Sequence, residues 1–197
     1  MRFLRTLAAG IDRLNGEIGK LIRWLVLVMV LMGAYNAVAR YLSRAITSVF
    51  ITSNALFELQ WYMFSMVFLL GAAYALDRDV HVRVDVLYER LSDKGRAWID
   101  LMGTVLFLIP FAVLMLWVSW APVRNSWGIR EVSPDPGGLP RYPIKALLLV
   151  SFTLLALQGV SQVIKQVEIL RGHEPPEGVA EEPGDGGGLD VRHGEGV

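Results

Sequence analysis

The stretch LMGTVLFLIPFAVLMLWVSWA, Leu101 to Ala121, runs for 21 residues without one Asp, Glu, Lys, Arg or His. At about 1.5 Å of rise per residue, a helix of this length matches the roughly 30 Å hydrocarbon layer of a bilayer. Its apolar residues are continuous and do not alternate, so it reads as a membrane helix and not as a barrel strand. Three further runs are of membrane length, about Leu21 to Ala39, Leu59 to Leu76 and Ala146 to Ile164, and of these only the first holds such a residue, Arg23. The chain is 53% hydrophobic over 197 residues, with a mean hydropathy of +0.42, too apolar for an ordinary soluble domain. The predicted fold is an all-α integral membrane protein with four transmembrane helices in one membrane domain, residues 1–173.

Residues 174–197 are of another kind. They hold seven acids, seven glycines and three prolines, and too few apolar groups to bury. The reading is a disordered, acidic cytoplasmic tail. Without it, residues 1–173 carry 18 basic and 12 acidic groups, so the net charge of zero averages two unlike parts. The basic residues sort by loop. Thirteen flank the ends that include both termini and the segment between spans two and three, against six on the opposite side. Positive charge in short loops marks the cytoplasmic face, which predicts an N-in/C-in topology and no nucleic-acid partner. Trp24, Trp61, Tyr62, Trp98, Trp117 and Trp120 fall near span ends, where amphipathic rings favour the headgroup layer.

Ahead of the first span, Phe3, Leu4, Leu7, Ile11, Leu14, Ile18, Leu21 and Ile22 recur three and four apart, with Asp12, Arg13, Asn15 and Glu17 between them. This pattern predicts an N-terminal amphipathic helix on the inner membrane surface, its basic residues toward lipid headgroups, and not a signal peptide. A looser, unstructured lead is the alternative. Between spans two and three lies RDVHVRVDVLYERL, Arg78 to Leu91. Val80, Val82 and Val84 alternate with charged residues, and Val84, Leu87, Tyr88 and Leu91 then follow helical spacing. An extended lead into a short cytoplasmic interfacial helix fits both, with Ser92 or Asp93 capping the third helix. His81, Arg83 and Asp85 read as an inner joint. One histidine among arginines supplies neither the ligand number nor the charge of a metal site.

Catalysis finds no purchase. The chain has no cysteine, and its three histidines lie outside the spans, so thiolate chemistry and a bis-histidine haem are excluded. No nucleophile elbow, zinc-protease helix or phosphate loop is present. No enzyme activity and no cofactor are predicted. Among span residues, Glu58 sits at the outer edge of the second run beside Gln60 and Trp61. An ion pair with Arg40 or Arg44 is the expected role, and a proton-coupling carboxylate the alternative. Asn36, Gln158 and Gln162 can hydrogen-bond between helices or to a partner. Pro110 removes a backbone donor inside the third run and predicts a kink. The best close-packing patch is Gly71 to Ala73. The outer stretch APVRNSWGIREVSPDPGGLPRYPIKA, Ala121 to Ala146, contains five prolines and predicts neither regular helix nor sheet. It is a connector or a docking surface, carrying Asp135, Arg141 and Lys145.

FELQWYMFSMVFLLGAAYALDRDVHVRVDVLYERLS, followed by RAWIDLMGTVLFLIP and SPDPGGLPRYPIKALL, resembles the small, DctQ-like membrane subunit of tripartite ATP-independent periplasmic (TRAP) transporters. The Pro-Gly loop is similar to the subgroup associated with keto- and hydroxy-acids, mannitol or chloroaromatic compounds. The resemblance implies a four-helix, non-catalytic scaffold in the bacterial inner membrane. Its implied partners are a large multi-span permease subunit, which carries the substrate and sodium sites, and a periplasmic substrate-binding protein. It also implies that Glu58, Gln60 and Trp61 steady the outer end or touch the large subunit, and that Arg141 and Lys145 face the periplasmic protein. Two other readings stay open on the residues alone: a self-sufficient proton-coupled exporter, and an accessory subunit of an unrelated membrane complex.

Overall fold

A computed structural model describes residues 2–45, 53–78 and 91–172. The first helix, α1, runs without interruption from Arg2 to Ala45, 44 residues or about 66 Å at 1.5 Å per residue. No proline precedes Pro110 in the chain, so nothing in this segment removes a backbone donor. The amphipathic lead and the first span are therefore one helix. Helix α2 spans Asn54–Asp77 and α3 spans Asp93–Gly103. A single π-helical turn, Thr104–Leu108, joins α3 to α4, Ile109–Gly128, and α5 spans Tyr142–Leu170. Four rods are long and apolar enough to cross a membrane: Phe3–Ser43, Asn54–Asp77, Lys94–Gly128 and Tyr142–Leu170.

Local chemistry explains the boundaries. Ser92 is the N-cap of α3 and accepts a hydrogen bond from the Gly95 backbone N–H at 3.3 Å, as its hydroxyl predicts. Pro110 lies within the first turn of α4, directly after the π-turn. Its ring cannot donate to the carbonyl one turn back, and a widened turn is a common way for a helix to absorb such a break. The predicted irregularity thus takes the form of a π-turn. Pro122, by contrast, is inside α4, which continues to Gly128. The outer stretch read as a loop from Ala121 to Ala146 is correspondingly shorter: its irregular part is 129–141, because helical packing on both sides extends past the prolines.

Helix α5 is central, packing against α1, α2 and the α3–α4 rod. Its buried residues Ile144, Ser151, Leu154, Gln158, Ser161 and Glu168 recur at steps of three, four and seven, the seam of a helix packed along its length. Helix α1 runs antiparallel to it: Arg5 meets Glu168, Asp12 meets Ser161 and Asn15 meets Gln158, each step along α1 matched by an equal step back along α5. Helix α1 is also antiparallel to α2, with Gly19 at Tyr74 and Gly33 at Gln60. The segment expected to run as an amphipathic helix into the first span is continuous with it and packs on α5, with Ala8, Ile11 and Asn15 buried and Phe3, Leu7 and Leu14 exposed.

Close packing depends on Gly159 and Gly19 more than on the GAA patch. A Cβ on Gly159 would stand 3.0 Å from a Leu108 methyl and 3.1 Å from Ile109, against the π-turn, whereas one on Gly71 would meet nothing nearer than 4.0 Å. Ala73 of that patch is nevertheless fully buried. Filling the contact with Gly159→Leu is expected to cost about 1–3 kcal/mol, the usual range for overpacking. The thermal midpoint of the detergent-solubilised protein measures this. Gly103→Ala, with open space around it, should leave that midpoint unchanged.

Candidate functional site

Polar side chains gather at the two ends of the bundle. At the end holding the chain's N-terminus, Lys165 of α5 reaches two carboxylates, Asp12 of α1 at 2.9 Å and Asp77 of α2 at 3.2 Å. The Gln158 amide N–H donates to both, at 3.0 Å each, and the Ser161 hydroxyl donates to Asp12 at 2.7 Å. The Gln158 carbonyl in turn accepts from the Asn15 amide at 2.6 Å. Gln158 is completely buried and Asn15 1% exposed. Farther along, Arg5 pairs with Glu168 at 2.7 Å and Gln162 donates to the Leu76 carbonyl at 3.1 Å. Three helices are cross-linked here by one network.

The charge balance explains why so many neutral donors are recruited. One ammonium faces two carboxylates, which leaves one negative charge without an ionic partner. In a weakly polar interior that charge is tolerable only when hydrogen-bonded, and Gln158 and Ser161 provide the donors. The network ties α1, α2 and α5 to one another through side chains.

The other end is closed by a latch. Glu58, 5% exposed at the start of α2, accepts hydrogen bonds from the Ser133 hydroxyl and the Leu139 backbone N–H. The Tyr62 hydroxyl donates to the Pro140 carbonyl at 3.0 Å, and the Asn54 amide donates to the Pro136 carbonyl at 2.9 Å. The loop held in this way is folded on itself. Gly138 N–H bonds to the Asp135 carbonyl at 3.0 Å, Pro136 and Gly137 occupying the corner with Gly137 at φ +71°, and Val132 bridges Pro140. A Cβ on Gly138 would lie 2.9 Å from the Glu58 carboxylate, so the glycine admits the acid to the loop backbone. Lys145 pairs with Glu131, and Arg141 reaches Ser133 at 3.5 Å.

The sequence-derived residues distribute as follows. Glu58, Asp135, Arg141 and Lys145 belong to the latch, Asp135 through its backbone. Of the ion pairs expected for Glu58, the one with Arg40 is corrected, since Arg40 stacks on the Phe57 ring at 5.0 Å and Glu58 accepts hydrogen bonds from the loop, while the Arg44 side chain lies outside those described. Asn36 donates to Gln60 at 3.3 Å and to the Leu56 carbonyl at 3.4 Å, tying α1 to α2. Trp61 is half-exposed, edge-on to Tyr62 at 4.3 Å. Pro110 is exposed on the α4 surface, away from both clusters. His81, Arg83 and Asp85, the interfacial helix they introduce, and the tail 174–197 lie outside the described residues.

Asp12 and Asp77 were missed as a pair. Asp77 closes an apolar run and Asp12 lies on the polar side of an amphipathic pattern, so each reads alone as solvated. The available signal was on α5: Gln158, Ser161, Gln162 and Lys165 stand at i, i+3, i+4 and i+7, a polar stripe that needs partners.

This architecture, four membrane-length helices with polar closures at both ends, is that of a small multi-pass membrane component. Residues 29–168 match the family described as tripartite ATP-independent periplasmic transporters, DctQ component. The chain therefore belongs to the DctQ family, the small component of TRAP transporters, which is a transporter component and not a known enzyme family. No curated protein and no solved structure matches it significantly. The family normally works with a large DctM component and a DctP binding protein, in the inner membrane.

Two outcomes follow from the geometry. Lys165→Met leaves two neighbouring carboxylates without their cation and should destabilise by about 3–5 kcal/mol, as loss of one partner of a buried pair does. Thermal unfolding in detergent reads the loss, and adding Asp77→Asn to Lys165→Met should recover part of it. On the loop, the Lys145 ammonium holds the Glu131 carboxyl below its usual range. A carboxylate with a depressed folded pKa stabilises above its unfolded pKa, near 4.5, and loses that contribution as pH falls through the lower folded value. Proteolytic protection of 129–141 should accordingly weaken in acid below that value, and the dependence should shrink in Glu131→Gln.

Proposed function

We infer that the chain is the non-catalytic scaffold of a TRAP transporter, anchoring a large permease subunit during uptake of an organic acid delivered by a periplasmic binding protein. The observation carrying this reading is where the polar groups are. The runs 24–39, 59–76, 101–121 and 146–164 contain no Asp, Glu, Lys, Arg or His. A substrate or ion path through this chain alone would need such groups or broken helices at mid-membrane. Its polar residues instead close the helix ends. The α3–α4 rod packs on α5 and leaves Phe107, Phe111, Leu114 and Trp117 exposed, Trp117 at 77%. Such a surface requires lipid or an apolar partner, and the large subunit accounts for it.

In this reading both termini and the Lys165 network are cytoplasmic, and the Glu58 latch is periplasmic, presenting Arg141 and Lys145 toward the binding protein. Coupling to a sodium gradient resides in the large subunit. A keto- or hydroxy-acid substrate rests on the character of the Pro-Gly loop. The exporter alternative needs Glu58 to face a central cavity, and its hydrogen bonds into the loop argue against that role.

Tagging the chain in its native membrane and solubilising it in mild detergent is expected to recover a large multi-span permease at equal stoichiometry by mass spectrometry. A homodimer alone would overturn the scaffold role. In proteoliposomes the chain alone should show no uptake. In the assembled complex Glu58→Ala should lower uptake by weakening the latch, with substrate affinity of the binding protein unchanged.

A further inference from the structure

Beside the Lys165 network lies a cleft of about 470 Å³, walled by the first turns of α1, the end of α2 and the last turns of α5. Six cations and four carboxylates line it, a surplus of two positive charges. The carboxylates are already committed: Asp12 and Asp77 to Lys165, Glu168 to Arg5 and Glu17 to Lys20. Among the described residues neither Arg13 nor Arg23 makes a side-chain hydrogen bond or close ion pair, although Arg13 lies in the field of Glu17, and Arg78 lies over the Tyr74 ring at 5.6 Å. Arg13, Gly16, Lys20 and Arg23 share one flank of α1 by their spacing of three, four and three. Gly16 opens that flank, with nothing within 4 Å of the place its Cβ would take.

The level of the cleft identifies the occupant. Arg23 is the last charge before the apolar run of α1, and Asp77 and Arg78 end that of α2. Trp24, 69% exposed, follows Arg23. The cleft therefore sits where hydrocarbon gives way to headgroups. Exposed guanidinium groups at that depth are matched by phosphate oxygens, which arginine binds in bidentate fashion, and the apolar α1 and α2 surfaces adjoining them suit acyl chains. We propose that this cleft is a binding site for an anionic phospholipid, its phosphate held by Arg13, Arg23 and Arg78 at the inner end of the bundle. The lipid would fill the angle between α1 and α2 and brace the long α1 in its register on α5. Basic pockets between membrane helices take such headgroups.

Native mass spectrometry of the full-length protein, delipidated and then exposed to vesicles of phosphatidylglycerol or phosphatidylcholine, tests this. The expected result is retention of phosphatidylglycerol over phosphatidylcholine, weakened about fivefold for each charge removed in Arg13→Gln and Arg23→Gln. Arg124→Gln, at the far end of α4, should retain the lipid like the wild type. Both target arginines are exposed, and an unchanged thermal midpoint without lipid shows that the variants fold. Equal retention of the two lipids overturns the proposal, as does an equal loss in Arg124→Gln. Displacement of the lipid by millimolar inorganic phosphate also overturns it, because the site would then be one for a soluble anion. The readout is lipid retention by this chain, so it fails or succeeds independently of the scaffold role.

Discussion

The ammonium of Lys165 holds together what the apolar surfaces alone leave undefined. Between lipid-like helix faces there is little hydrophobic preference for one register over another, since hydrocarbon surrounds both. A cation shared by Asp12 of α1 and Asp77 of α2 has no such freedom. Sliding either helix by one turn would strand a carboxylate in a weakly polar interior, at a cost of several kcal/mol. Gln158 extends this specification, because one side-chain amide serves Asn15, Asp12 and Asp77 together.

With the Lys165 end specified, the rest of the bundle follows from α5. Its seam passes from Ile144 through Ser151 and Leu154 to Gln158 and Ser161, so α1 and α2 are received by increasingly polar positions. The opposite side of α5 is shaped for the α3–α4 rod, with Gly159 against the π-turn. At the opposite end, Glu58 does for the loop what Lys165 does for the helices. A single carboxylate collects a hydroxyl and a backbone donor, giving the proline-rich segment a defined shape. Polar closures thus sit at both ends of the bundle, with apolar flanks between them.

The legibility of these features in the sequence was uneven for reasons of chemistry. Ser92 as a helix cap and the turn at Pro136 and Gly137 were readable because hydroxyl capping and φ above zero are local requirements. The near boundary of the proline-rich loop was not, since Pro122 is accommodated inside a packed helix where isolated propensity argues for a break. Glu58 was readable as an anomaly, while its partners lie 75 and 81 residues away in the chain. Nearby arginines on α1 were the reasonable guess from charge alone.

Apolar run length was enough to determine four membrane-length helices, and the TRAP family came from the resemblance of whole segments in their order. The helices depend on transfer of each residue between water and lipid, which a residue carries wherever it sits. The tertiary structure alone decided that α1 is one helix laid on α5, that Asp12 and Asp77 share a lysine, and that Glu58 locks the loop. Each of these is a meeting of groups from separate helices, and a hydrogen bond or an ion pair exists only when both partners have been brought within about 3 Å.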